Sequence, residues 1–82
     1  MEIDWDFINK FWNAIDIARK QCKNQYAQVH LQAINRMGIA LGPEGIKVQL
    51  LYVLHNMRGW RGQVARETKK IFREMIRRLE QA

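Results

Sequence analysis

The chain contains no serine, and it has one threonine, one cysteine and one proline. Each scarcity removes a class of chemistry. Serine-based acyl transfer is excluded, and the lone threonine, Thr68, falls on the apolar side of its helical pattern. A single cysteine, Cys22, rules out an internal disulfide and any multi-cysteine zinc site. Its apolar neighbours make it a small core residue rather than a nucleophile. His30 and His55 each lack a His or Cys at i+3 or i+4, so zinc-ligand spacing is missing. Each reads as a partly buried histidine with one hydrogen bond. Glu44, Glu67 and Glu74 suit helix-dipole and salt-bridge roles better than paired acid–base catalysis. No enzymatic activity, metal or cofactor is expected.

Long apolar runs are also missing. No stretch approaches the roughly 20 apolar residues a membrane span requires. Charges at Asp4, Asp6 and Lys10 interrupt any signal-peptide pattern. No membrane association and a cytoplasmic location are expected. The segment "LGPEG", residues 41–45, lacks the Gly-Lys-Ser/Thr ending of a phosphate-binding P-loop and reads as a turn into a helix.

What is present is a globular composition, 48% hydrophobic and 27% charged over 82 residues, which makes one domain spanning 1–82. A chain this short gains stability by burying apolar surface on a second copy, so a homodimer is one candidate assembly. The net charge is +6, and residues 58–78 carry all of it: eight basic side chains against Glu67 and Glu74. The remaining residues balance six against six.

Helical spacing dominates. Phe7, Ile8, Phe11, Ala14, Ile15, Ala18 and Cys22 share one face, with Trp5 and Trp12 together on its edge. Asp4 is the expected N-cap. Tyr26, Val29, His30, Ala33, Ile34 and Met37 continue the same phase, with Gln28, Gln32 and Asn35 opposite. One helix from Trp5 to Met37 would be about 50 Å long, against roughly 30 Å for a compact domain of this size. Either the helix breaks near Lys23–Gln25, which is the favoured expectation, or it protrudes and packs against another copy; Gly38 ends the section. Ile46 to Met57 is apolar on nearly every side, as in a central helix, and Pro43 suits its first turn. The alternation Ile46, Val48, Leu50, Tyr52, Leu54 leaves a strand as the rival. From Gly62 to Leu79 the pattern splits cleanly. Val64, Thr68, Ile71, Phe72, Met75, Ile76 and Leu79 form an apolar arc, and Arg66, Lys69, Lys70, Arg73 and Arg77 a basic stripe. Glu74 is placed to pair with Lys70 and Arg78. The expected fold is all-α, a three- or four-helix bundle with a central hydrophobic helix and a basic amphipathic C-terminal helix.

"RGWRG", residues 58–62, joins the last two helices. Gly59 is the expected left-handed residue closing one helix. Trp60 plugs the core, and Gly62 caps the next helix. The amides opening that helix, flanked by Arg58 and Arg61, also suit an anion. Compared with a DNA-binding helix-turn-helix, the segment departs at His55, where a small residue is usual, and at Arg58, which replaces an apolar one. "YVLHNMRGWRGQVARETKKIF", residues 52–72, resembles a stretch of small phage and prophage proteins, through Tyr52-Val53-Leu54, Asn56, Trp60-Arg61-Gly62, Ala65 and Lys69. The resemblance covers about a quarter of the chain. It implies an accessory or regulatory protein of a mobile element, without catalytic residues.

Two functions follow. The first is a non-enzymatic protein that contacts nucleic acid or another polyanion through Arg58, Arg61, Arg66, Lys69, Lys70, Arg73 and Arg77. The alternative is a protein-interaction module, an inhibitor or adaptor or a homodimer, that uses Trp5 and Trp12.

Overall fold

The computed structural model describes residues 5–34 and 42–81. The expected Asp4 cap, Asn35, Met37 and the Gly38 helix end lie outside them. The architecture is four helices: α1 (Trp5–Gln21), α2 (Gln25–Ala33), α3 (Gly42–Asn56) and α4 (Gln63–Glu80). No strand occurs among the described residues, so the alternation over Ile46–Leu54 belongs to a helix. α1 and α3 each pack on both α2 and α4 and lie diagonally across the bundle. Phe11, Ile15, Leu31, Leu50, Val53, Met57 and Phe72 fill its middle. Phe11 meets Phe72 edge-on, with ring centroids 6.1 Å apart.

The chain breaks where its length demands. The longest dimension is 32 Å, too short for an unbroken helix over both segments. Residues 22–24 leave the helix, and Asn24 restarts it: its side-chain oxygen accepts from the amides of Tyr26 and Ala27, each at 2.9 Å.

This break resets the helical phase, which corrects the expectation for α2. Ala27, Leu31 and Ile34 are buried, whereas Tyr26 and Val29 are about two-thirds exposed and Ala33 also faces out. Gln28, expected on the solvent side, turns inward. Its amide nitrogen reaches the carbonyls of Ala18, Arg19 and Cys22 at 3.2, 3.2 and 2.7 Å, at the C-terminal end of α1. Arg19 of α1 returns the favour by donating to the carbonyls of Leu31 and Ile34 at the end of α2. Each helix thus closes the other's C-terminus.

α3 is not covered on all sides. Leu50, Val53 and Met57 are fully buried, but Val48, Leu51 and Tyr52 are exposed. His30 matches the reading of a half-buried ring with one partner: a ring nitrogen lies 2.7 Å from the Gln49 side-chain oxygen, and the ring stacks on Tyr52. His55 is exposed instead. In α4 the arc is as expected except at its first turn. Val64 overhangs the bundle and is exposed, and Ala65 is buried in its place. Thr68 is buried with its hydroxyl satisfied by the Val64 carbonyl at 2.8 Å. Cys22 is buried with a free thiol. Among the described residues, no helix is long and apolar enough to cross a membrane.

Candidate nucleic-acid interface

α4 owes its orientation to one strongly apolar arc, which pins Ala65, Thr68, Phe72, Met75 and Ile76 to the bundle. The opposite arc must face solvent, and there Arg66, Lys70, Arg73 and Arg77 are all exposed. From Arg66 to Arg77 the ridge runs about 16 Å by helix rise. Arg66, Lys70 and Arg73 make no ion pair among the described residues.

The other two stripe members are tied down. Lys69 is half-buried, and its ammonium donates to the Trp60 carbonyl at 2.7 Å. Arg77 is held by Glu74 through two hydrogen bonds of 3.0 and 2.6 Å. Glu74 also accepts from Arg78 at 3.2 Å, so its partners are Arg77 and Arg78 rather than the expected Lys70 and Arg78. The Arg77 bond and then the Arg78 bond hold the Glu74 carboxyl below the usual carboxylate range, and the same pairing raises Arg77. With the folded pKa lowered, the stabilising effect of this cluster is present above the ordinary carboxylate pKa. It fades as pH falls through the lowered value. Arg78 lies 4.0 Å over the Phe7 ring, off the ridge and against α1.

α1 runs antiparallel to α4, since Phe7 meets Arg78 and Phe11 meets Phe72. That packing brings in a cation which sequence patterning missed: exposed Lys10 lines the same surface depression as Lys70. Nothing in the local spacing of α1 marks Lys10, because its place beside the stripe depends on the α1–α4 register.

At the corner, Trp60 is half-buried against the core, as expected, while Arg58 and Arg61 are exposed. Gly62 caps α4 as expected, but the positive φ expected at Gly59 is absent there. A Cβ added to Gly59 would meet nothing within 4 Å. The positive backbone angle belongs to Gly62, with φ 111° and ψ 175°, at the N-cap of α4. That region is essentially restricted to glycine. Gly62→Val is therefore expected to lower stability by roughly 1–3 kcal/mol, and Gly59→Ala to change it by less than about 0.5 kcal/mol. Urea melts of the two variants check this, and equal midpoints would refute the assignment. With Gly62 as cap, no side chain satisfies the amides that open α4, and its first turn carries no acid.

The two tryptophans of the proposed protein interface separate. Trp5 is 78% exposed, whereas Trp12 packs against the core and meets Phe11 edge-on at 5.3 Å. Trp5→Ala should leave the melting midpoint within the scatter of a surface change, about 0.5 kcal/mol. Trp12→Ala should cost roughly 2–3 kcal/mol, less than a fully buried aromatic. Thermal melts distinguish the two.

No family of known proteins, no curated protein and no solved structure matches the chain. Among the described residues, no three His, Cys, Asp or Glu side chains gather as a metal site.

Proposed function

We propose that this protein is a non-enzymatic binding module that lays the solvent edge of α4 along a nucleic-acid backbone. One observation carries the reading. Arg66, Lys70 and Arg73 recur on one exposed ridge with no ion-pair partner among the described residues. Cations left unneutralised on a rigid helix release counterions when phosphates replace them. Arg58 and Arg61 extend the ridge past the corner, Lys10 widens it, and Lys69 and Arg77 contribute charge from fixed positions. A role as an accessory protein of a mobile element accords with the residue 52–72 resemblance. Titrating isotope-labelled protein with a short DNA duplex tests the location. Amide shifts should cluster at residues 58–77 and around Lys10. Shifts centred on α2 and α3 would overturn the reading.

A second reading rests on a different face. Val48, Leu51 and Tyr52 of α3 are exposed and line an apolar depression with His55. Its lining carries no Asp, Glu, Lys or Arg, so two copies of a chain with net charge +6 could meet there without burying like charges. A second copy would also make α3 the central helix that its composition suggests. Sedimentation of the wild type and of Leu51→Glu tests this: a dimer that the variant splits supports it, and a monomer at high concentration refutes it.

A further inference from the structure

The α1–α2 break and the α3–α4 corner enclose a half-open cavity of about 310 Å³, lined by Gln21, Cys22, Lys23, Asn24, Asn56, Gly59 and Trp60. We infer that this cavity seats one unpaired nucleobase, so that the preferred ligand is single-stranded nucleic acid. The inference rests on the backbone-binding reading above and names its substrate class.

Three features of the walls point to a base. The first is size: the cavity lies at the lower end of the ~300–1,000 Å³ typical of small-molecule sites, enough for a single ring system. The second is a π-face. Trp60 packs against the core and also lines the cavity, so a braced aromatic side chain is within reach of a ligand seated there. Aromatic rings bind successive bases of single strands by stacking, with little regard to sequence.

The third feature is hydrogen bonding. Asn24 uses its side-chain oxygen to cap α2, accepting from Tyr26 and Ala27. Its amide nitrogen is left without a partner among the described residues. Asn56 does the reverse: its amide nitrogen donates to the Tyr52 carbonyl at 2.9 Å, and its side-chain oxygen has no partner among the described residues. Both residues line the cavity, so its walls include one amide donor at the α1–α2 break and one amide acceptor at the end of α3 that no hydrogen bond among the described residues occupies. Every base presents donors and acceptors on its Watson–Crick edge, and in single strands that edge is unpaired.

Charge at the rim fits the rest of the strand. Lys23 is an exposed lining residue, and Arg58 and Arg61 flank Gly59 and Trp60 in sequence with exposed side chains. A nucleotide seated here would have its phosphates among these cations, and the chain could continue toward Arg66. A duplex keeps its bases stacked inside and would use only the basic ridge.

The test compares three probes by fluorescence anisotropy: a short single-stranded oligodeoxynucleotide, the same strand with abasic sites throughout, and a duplex of equal length. Wild-type protein should bind the intact strand about tenfold more tightly than the abasic one, the scale of one base–aromatic stack. Gly59 lines the cavity, and a Cβ added there meets nothing within 4 Å, so Gly59→Leu should narrow the cavity without disturbing the fold, as a thermal melt would verify. It should erase the tenfold difference while leaving duplex affinity unchanged. Equal binding of intact and abasic strands by the wild type overturns the base pocket and leaves the backbone reading standing. A tenfold preference that survives Gly59→Leu also overturns it. Failure of the wild type to bind any probe at low salt overturns both.

Discussion

The triple variant Arg66→Glu/Lys70→Glu/Arg73→Glu is expected to lose nucleic-acid binding by more than a hundredfold while keeping its helix content. If α4 lies along the backbone as proposed, each reversal removes one phosphate contact and installs a like-charge repulsion. All three positions are exposed, and none makes an ion pair among the described residues, so no described ion pair is sacrificed. Surface substitutions of this kind typically change stability by only about 0.5 kcal/mol. Arg78→Gln supplies the control. Arg78 is occupied by Glu74 and the Phe7 ring, so its loss should affect stability more than binding. Retained affinity in the triple variant, measured with a duplex at low salt, would remove α4 from the interface.

The second large effect concerns Arg19, the residue through which α1 closes α2. Its guanidinium donates to two carbonyls at the end of a nine-residue helix. Hydrogen bonds from a charged donor contribute about 1.5–3 kcal/mol each. Against that, its Nε is buried without a partner among the described residues, and such a group costs about 1–3 kcal/mol. The donors prevail. Arg19→Met, which keeps the aliphatic stem, should therefore destabilise the fold by about 3 kcal/mol. It should also open α2 selectively, because a helix of this length has little stability of its own. Hydrogen exchange would show α2 amides losing protection before those of α4. A change below about 0.5 kcal/mol, the scale of a surface substitution, would mean that packing alone holds α2.

The parts of this architecture legible in the sequence are those set by helical period within one unbroken element. α4 shows this best, where a single phase over Gln63–Glu80 separates Phe72 and Met75 from Arg66 and Arg73. The break near Lys23–Gln25 was legible for another reason: an unbroken helix is too long for the domain. Its consequence was not. Once residues 22–24 leave the helix the phase restarts, so Tyr26 and Val29 point outward and Gln28 inward. Gln28 faces in because the carbonyls ending α1 need donors, and that demand exists only after the chain folds back. The corner misled in a similar way. Both glycines in "RGWRG" suit a turn, but backbone direction gives the left-handed angle to Gly62 rather than Gly59. Lys10 and Lys23 join the basic surface only through the antiparallel packing of α1 on α4, which no local pattern encodes.

We propose that unneutralised charge on α4 and its corner binds a phosphate backbone. This binding is tested most directly by the salt dependence of affinity for a DNA duplex. Arg58, Arg61, Arg66, Lys70 and Arg73 are exposed and make no ion pair among the described residues. If four or five of them contact phosphates, the logarithm of the association constant should fall linearly with the logarithm of salt concentration, with a slope of about −4. A slope near zero, or no binding at the lowest salt, would contradict the account and leave the exposed α3 face as the surface that matters.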